Sequence, residues 1–214
     1  MSFEEFFREA YPRMMARAVL LCGDRADAED AVAQAFAEVF RRWDTASRYD
    51  APEAYLHVTM TRKALRLVKR RRLEEMRALE LPVSPYATPH EALAAKEVLA
   101  AVAGLPPMQR AVLVHCCLDG MKQAEVAKLL RIQRGTVAAH LFKAREALSA
   151  KLGLGARTPD DGLVGVVRRD QIADSLQVAQ RWLAEGFAAD ERARARVRTA
   201  VDQVKPPRRR WGRG

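Results

Sequence analysis

The chain has 214 residues, of which 49% are hydrophobic, so it can form one large domain or two small ones and is too apolar for wholesale disorder. Its net charge of +10 at pH 7 is unevenly distributed: residues 62–73 carry seven basic and no acidic side chains, residues 205–214 carry five basic ones, and residues 1–61 are net acidic. Separate basic islands indicate that the protein binds nucleic acid at particular places.

The sequence excludes several other classes of protein. It has no run of about 18 apolar residues, and its first segment, MSFEEFFREAYPRMM, is acidic where a signal peptide would be basic. We therefore expect a cytoplasmic protein with no membrane insertion and no cofactor. His115, Cys116 and Cys117 are adjacent and would point in different directions on a helix, so we expect small core side chains there and no metal. The odd number of cysteines argues against disulfides.

Nearly every periodic stretch predicts a helix, and none shows the alternation of a strand, so we predict an all-α fold. The first clear helix covers residues 27–43, with Asp24 or Asp27 as its N-cap. Its apolar stripe consists of Val32, Ala35, Phe36, Val39, Phe40 and Trp43. Pro52 begins a second helix at about residues 52–72, which runs into the basic segment RKALRLVKRRR. Its candidates for burial are Tyr55, Leu56, Thr59, Met60 and Leu67.

The prolines of LPVSPYATP interrupt the helical pattern and predict a flexible linker. Further helices are predicted at residues 90–103, 108–118, 122–130 and 134–152, and Gly153 ends the last of them. We therefore divide the chain into two small helical domains, at residues 1–73 and 90–153, a linker at 74–89 and a helical C-terminal extension with a basic tail at 154–214.

Residues 122–145 have the layout of a helix-turn-helix. KQAEVAKLL forms the first helix, RIQ the turn, and RGTVAAHLFKAR a second helix that is buried through Val137 and Leu141. A recognition helix needs a small N-terminal end so that its backbone amides can approach phosphates. We predict DNA contacts from Arg134, Gly135, Thr136, Ala138, Ala139, His140, Lys143, Arg145 and Lys122. A helical hairpin that does not bind DNA is the alternative at this stage.

The whole segment LPPMQRAVLVHCCLDGMKQAEVAKLLRIQRGTVAAHLFKAREALSAKL closely resembles region four of bacterial extracytoplasmic-function (ECF) sigma factors, which belong to the sigma-70 family. The residues that carry this resemblance are Leu105, Pro106, Arg110, Gly120, Glu125, Val126, Ala127, Leu130, Ile132, Gly135, Thr136, Val137, Ala144, Arg145 and Leu148. DAEDAVAQAF and APEAYLHVTMTRKALRLVKRRR resemble the polymerase-binding and promoter-melting helices of region two. The resemblance covers residues ~1–153 in the family's order.

This resemblance implies a sigma factor and not an enzyme. Region two would bind core RNA polymerase through its beta and beta-prime subunits and capture the melted minus-10 element, and region four would read the minus-35 element as duplex promoter DNA. The polymerase contacts it implies are Asp27, Asp30, Gln34 and Glu38. The minus-10 contacts it implies are Tyr55, His57, Arg62, Lys63, Arg66, Lys69 and Arg70. Tyr55 is equally well suited to the core. The resemblance also implies that the acidic linker follows the basic nucleic-acid channel of polymerase.

The chain departs from the family's pattern at several positions. Ala33 and Gln34 occupy the usual Gln-Glu of the polymerase-binding helix, and Arg62 occupies a position that is often asparagine. Ala138, Ala139 and His140 replace the arginines and serine often found after Gly-Thr-Val, and Arg131 replaces the usual turn glycine. We therefore expect unusual promoter preferences, which the resemblance does not specify.

Residues 154–214 lie outside the resemblance. A helix is predicted from about Arg168 to Val204, with a break at Gly186, and its apolar stripe must pack against something: Ile172, Leu176, Ala179, Leu183 and Phe187. The extension would be either a structural appendage or a device that holds the two domains together in place of a separate anti-sigma factor. KPPRRRWGRG is expected to be a mobile cationic arm for DNA or RNA.

Two rival functions remain open from the sequence. One is a helix-turn-helix transcription regulator that binds DNA without acting as a polymerase subunit; it would have no use for the melting helix. The other is an enzyme, which nothing supports, because the chain has neither a phosphate-binding glycine-rich loop nor a histidine paired with a plausible nucleophile.

Overall fold

The computed structural model of the protein describes residues 1–70, 82, 84–154 and 161–204, with the side chains of 70 and 161–169 outside that description. All regular structure in these ranges is helical, which confirms the predicted fold class. The helices are α1 (Phe3–Cys22), α2 (Arg25–Arg41), α3 (Trp43–Ala46), α4 (Pro52–Arg70), α5 (Pro89–Ala103), α6 (Pro107–Leu113), a π-helical turn (Val114–Leu118), α7 (Gln123–Leu130), α8 (Arg134–Leu152), α9 (Asp161–Ala189) and α10 (Glu191–Asp202).

Helix α1 is the centre of the N-terminal domain, although the sequence patterns did not single it out. Ser2 and Glu5 form a capping box, in which the Glu5 amide donates to Ser2 Oγ (3.2 Å) and the Ser2 amide donates to Glu5 Oε2 (2.7 Å). The aromatic rings of Phe3, Phe6 and Phe7 pack around Phe36 of α2. This aromatic cluster fixes α2 against α1.

The predicted helices α2 and α4 are confirmed, with each end of α2 two residues earlier than predicted. The predicted end of α4, at about residue 72, lies outside the described residues. Asp24 caps α2 by accepting a hydrogen bond from the Asp27 amide at 2.9 Å. The helix ends at Arg41, so Trp43 begins the short α3 and does not extend α2. Helix α4 packs against both α1 and α2. These contacts leave one side of α4 exposed for other functions.

The second domain consists of α5, α6, the π-helical turn, α7 and α8. Thr88 caps α5 through a capping box with Glu91, so this helix begins at Pro89, one residue earlier than predicted. The predicted helix at 108–118 is divided into α6 and the π-helical turn. Of the predicted linker at 74–89, residues 74–81 and 83 lie outside the described residues.

The C-terminal helices bury the stripe that the sequence predicted. Ile172, Leu176, Ala179, Leu183 and Phe187 are all fully buried. The predicted break at Gly186 is wrong, because α9 continues through it to Ala189, and Asp190 then caps α10 by accepting from the Ala193 amide at 2.9 Å. Gly186 has a packing role instead: a Cβ there would lie 2.6 Å from the Pro82 carbonyl oxygen.

Helix α9 connects the two domains. It packs against α1 of the first domain and against α5, the π-helical turn and α8 of the second, while α10 packs along α2. The buried residues of both domains and of α9 and α10 form one continuous hydrophobic core. Within the described residues, no helix is both long and apolar enough to cross a membrane.

Candidate nucleic-acid and polymerase interfaces

Helices α7 and α8 form the predicted helix-turn-helix. Val126 and Leu129 of α7 and Val137 and Leu141 of α8 are buried between the helices and the rest of the domain. The turn depends on Arg131, whose backbone adopts the left-handed conformation (φ 56°, ψ 47°). This geometry presents the start of α8 at the surface of the domain.

The predicted reading surface of α8 is open to solvent. Its exposed members are Arg134, Gly135, Thr136, Ala138, Ala139 and Lys143. His140 is half-buried, and Lys122 is exposed where α7 begins. The N-cap residue of α8, Gln133, makes no side-chain capping hydrogen bond, so the first backbone amides of α8 are available to an anion. A Cβ at Gly135 would meet no atom within 4 Å, so packing within the protein does not require glycine at this position.

The surroundings of two residues of α8 were not predicted from the sequence. Arg145, which we predicted as a phosphate contact, is half-buried and directs Nη2 towards Cys117 Sγ at 3.5 Å. Phe142, which the sequence analysis did not single out, is 66% exposed beside the predicted reading residues. The sequence signal that could have predicted the exposure of Phe142 is its position outside the buried stripe formed by Val137, Leu141 and Ala144.

Helix α4 carries a basic stripe on its exposed side. Arg62, Arg66 and Lys69 are exposed and lie at helical spacing, so they share one face. The Lys63 ammonium instead binds Glu38 Oε2 of α2 at 2.9 Å. This hydrogen bond is the main reason that the pKa of Glu38 lies below its usual value. The side chain of Arg70 lies outside the described residues.

Two of the predicted minus-10 residues of α4, Tyr55 and His57, have different surroundings. Tyr55 is half-buried and contacts Tyr49 edge to face, with ring centroids 5.5 Å apart. His57 points away from the surface towards the second domain, where its Nε2 lies 3.2 Å from Asp119 Oδ2. Tyr55 is therefore placed near an exposed aromatic partner, whereas His57 must leave this contact before it could stack on a base.

The predicted polymerase-binding residues lie along one side of α2. Asp30 and Gln34 are exposed, while Asp27 and Glu38 are half-buried. Another side of the same helix is covered by α10, where Arg196 donates two hydrogen bonds to Glu29 at 2.9 and 2.7 Å. The Asp30 and Gln34 side chains thus remain accessible while α10 is in place.

The two domains meet at a polar junction that the sequence did not predict. Arg110 of α6 is buried and donates to the carbonyl oxygens of Leu21 and Cys22 at 2.9 and 2.8 Å, and to that of Ala103 at 2.9 Å. The first two carbonyls belong to the last turn of α1, which has no helical partners for them. Gly23 follows in the left-handed conformation (φ 67°), and a Cβ there would lie 2.5 Å from Arg110 Nη1.

A second part of this junction surrounds Asp119. Arg17 Nε of α1 donates to Asp119 Oδ1 at 2.9 Å, and His115 Nδ1 lies 2.8 Å from Asp119 Oδ2. Burial acts to raise the pKa of Asp119, but its contacts with His115, His57 and Arg17 outweigh burial and hold that pKa well below its usual range. Burial lowers the pKa of His115, so this imidazole is neutral at pH 7.

Comparison with known proteins identifies two family regions in the chain. Residues 6–74 match the sigma-70 region 2 family, and residues 95–148 match the sigma-70 region 4 family. The chain is 31% identical to the RNA polymerase sigma-E factor of Streptomyces coelicolor over 153 residues, which cover 71% of this chain and 86% of that protein. It is 30% identical to the ECF RNA polymerase sigma factor SigE of Mycolicibacterium smegmatis over 157 residues, which cover 69% of this chain and 60% of that protein.

The helix-turn-helix, the basic stripe of α4 and these similarities agree. The chain belongs to the sigma-70 family of RNA polymerase sigma factors, in its ECF group. It is therefore a transcription initiation factor that directs promoter-specific transcription and not an enzyme. The rival interpretation as a regulator without a polymerase role is set aside, because it does not account for region two.

Proposed function

We propose that this sigma factor is held in a closed state by its own C-terminal helices and engages a promoter only after its two domains separate. In the open state, α2 binds the beta and beta-prime subunits of core polymerase, α4 holds the melted minus-10 strand, and α8 reads the minus-35 duplex. The observation that carries this proposal is that α9 packs against helices of both domains. A factor that acts on the chromosome in this way works in the cytoplasm.

The distance between the promoter elements supports the need for opening. Elements centred about 10 and about 35 base pairs upstream of the start site are roughly 85 Å apart along B-form DNA, at about 3.4 Å per base pair. A compact chain of this length has a radius of gyration of about 17 Å and is therefore roughly 45 Å across. The closed protein is too small to contact both elements of a straight promoter at once.

Two features suit the DNA-binding roles within this proposal. The exposed stripe of Arg62, Arg66 and Lys69 can bind successive phosphates and would contribute affinity that falls with salt. On α8, Ala138, Ala139 and Phe142 form an exposed apolar surface between the basic residues. Apolar side chains in the major groove contact the methyl group of thymine, so this surface favours a minus-35 element that contains thymine.

A charge reversal on α10 tests the closed state without truncation. Arg196→Glu replaces the two hydrogen bonds to Glu29 with repulsion, whereas Arg192→Glu changes an exposed arginine on the same helix. Because the Arg196 pair is partly exposed, its loss is worth about 1 kcal/mol, and we expect a several-fold rise in promoter-specific run-off transcription with core polymerase for Arg196→Glu alone. Deleting residues after Leu154 is a harsher test, because it uncovers the face of α1 that α9 buries.

The outcomes separate the two parts of the proposal. If neither the wild-type protein nor Arg196→Glu yields a promoter-specific transcript with core polymerase on a genomic library, initiation by this chain is rejected. If the wild-type protein yields transcripts and Arg196→Glu yields no more than Arg192→Glu, the extension is a structural appendage and not an inhibitor.

A further inference from the structure

Three potential metal ligands converge where the two domains meet. His57 comes from α4 of the first domain, and His115 and Asp119 come from the π-helical turn and the residue after it in the second domain. One donor atom from each side chain lies within 4.8 Å of the other two. We propose that these residues bind a single Zn²⁺ ion at the domain junction.

The donor distances suit a small cation after a slight adjustment. His115 Nδ1 lies 2.8 Å and His57 Nε2 lies 3.2 Å from Asp119 Oδ2. Zinc bonds to nitrogen and oxygen of about 2.0–2.2 Å in tetrahedral geometry place neighbouring donors roughly 3.4 Å apart. Reaching that separation lengthens the His115–Asp119 distance by about 0.6 Å and the His57–Asp119 distance by about 0.2 Å, so both imidazoles must move slightly.

The partners of these groups also favour a ligand. His115 Nε2 is buried and makes no hydrogen bond to any residue that the structure describes, and the buried His57 Nε2 has only its 3.2 Å contact with Asp119 Oδ2. Asp119 Oδ1 accepts from Arg17 Nε at 2.9 Å, which fixes the carboxylate so that Oδ2 faces the imidazoles. Groups that orient a ligating carboxylate from behind in this way are typical of metal sites. A long contact is a poor partner for a buried ring nitrogen, and a metal bond to His57 Nε2 would replace it.

The donor set indicates the class of ion. Two imidazole nitrogens and one carboxylate oxygen suit Zn²⁺ among the first-row divalent ions, whereas Ca²⁺ and Mg²⁺ prefer oxygen donors alone. Three protein ligands leave a fourth position for water. The neighbouring Cys117 does not belong to the group, because its Sγ lies beside Arg145.

Because its ligands come from both domains, a bound ion would affect how the domains are held together. His57 belongs to region two and the other two ligands to region four, so one ion bridges both domains and stabilises the closed state. This consequence rests on the proposed function, but binding of the ion does not. Stabilisation of the closed state by the ion would make promoter engagement sensitive to zinc.

Binding can be measured on the full-length protein in the absence of polymerase. Protein freed of metal by chelation is titrated with Zn²⁺ by calorimetry and with Co²⁺ by visible absorption. We expect one equivalent of either ion, a rise in Tm with Zn²⁺, and a Co²⁺ spectrum of low coordination number. His57→Ala and Asp119→Asn should each weaken binding by more than about tenfold.

Matched controls exclude binding elsewhere. His90→Ala changes an exposed histidine at the start of α5, and Cys116→Ser removes a thiol of the same turn; both should bind Zn²⁺ like the wild-type protein. Circular dichroism checks that each variant keeps its helix content, and His57→Ala, at a partly exposed position, guards against loss of folding in Asp119→Asn. Absence of saturable binding, or equal binding by His57→Ala and the wild-type protein, overturns the site. Neither result bears on initiation, which is measured with polymerase.

Discussion

At the scale of single residues, the turn of the helix-turn-helix contains an arginine in a conformation that favours glycine. Arg131 has φ 56° and is exposed. Replacing it with glycine removes a steric cost of about 1–2 kcal/mol and adds an entropic cost of about 0.5–1 kcal/mol in the unfolded chain. We predict that Arg131→Gly raises the free energy of unfolding by about 0.5–1 kcal/mol in urea denaturation. Arg134→Gly, in the first turn of α8, is the control and should not stabilise. A lower stability for Arg131→Gly would contradict this reasoning.

The exposed and half-buried residues of α8 should divide into phosphate-binding and base-reading groups. Lys143 is exposed on the flank of α8, so Lys143→Ala should weaken duplex binding on all sequences and reduce the slope of log K against log salt by about 1. His140 lies nearer the start of the helix, so His140→Ala should change the preferred minus-35 sequence, with base contacts worth about 1–3 kcal/mol. Fluorescence anisotropy over a set of duplexes and salt concentrations measures both. A uniform loss for His140→Ala would show that it does not read bases.

Predictability from the sequence depended on whether a residue's partners are near it in the chain. Val137 and Leu141 were predicted as buried because helical spacing alone places them on one stripe. Arg145 and His57 were assigned to DNA on their residue type and position, and the structure directs them to Cys117 and Asp119. Those partners are 28 and 62 residues away in the chain, and no local pattern reports such a contact.

At the scale of the elements, helices with a cap and a clear stripe were predicted to within about two residues. Helix α2 has both signals, and α8 has a glycine at its C-terminal end. The π-helical turn was predicted as ordinary helix, because its sequence, VHCCL, carries no signal for the wider turn. The break after α9 was assigned to Gly186 on its low helix propensity. The actual reason for glycine there is the close approach of Pro82, which is a long-range contact.

The docking of α10 on α2 should weaken in acid. Burial acts to raise the pKa of Glu29, but hydrogen bonds from Arg196 and Arg25 outweigh burial, so the pKa lies below its usual value. A depressed carboxyl pKa contributes stability that is present above the unfolded value of about 4.3 and is lost as the pH falls below it. We predict that Glu29→Gln costs about 1–2 kcal/mol at pH 7 and much less near pH 3.

Urea denaturation at the two pH values measures this difference directly. Asp30→Asn changes an exposed carboxylate on the same helix. It should lower the free energy of unfolding by the same small amount at both pH values. If the cost of Glu29→Gln does not shrink in acid, the ion pairs with Arg196 and Arg25 do not hold α10 in place.

At the scale of the whole molecule, the sequence predicted two domains joined by a tether and left open how the extension packs. The apolar stripe of α9 required a partner, and the structure supplies helices from both domains. The sequence could not show whether the extension packs on one domain or on both. An apolar stripe indicates that a helix face is buried, but it does not identify the surface that covers it. The polar groups at the junction were equally hidden, since main-chain carbonyls such as those of Leu21 and Cys22 have no sequence signature.

Arg110 is the residue through which the closed state can be tested without changing the extension. Its guanidinium donates to Leu21 and Cys22 of the first domain and to Ala103 of its own domain. Arg110→Met keeps much of the side-chain volume but leaves three buried carbonyls without this donor, at a cost of about 2–4 kcal/mol. We predict a lower free energy of unfolding and, in small-angle scattering of the folded protein, a larger radius of gyration as the domains separate.

Arg134→Met, at an exposed arginine, should change stability by no more than about 0.5 kcal/mol. Lower stability with an unchanged radius of gyration would mean that Arg110 serves its own domain through Ala103 and that the closed state does not depend on it.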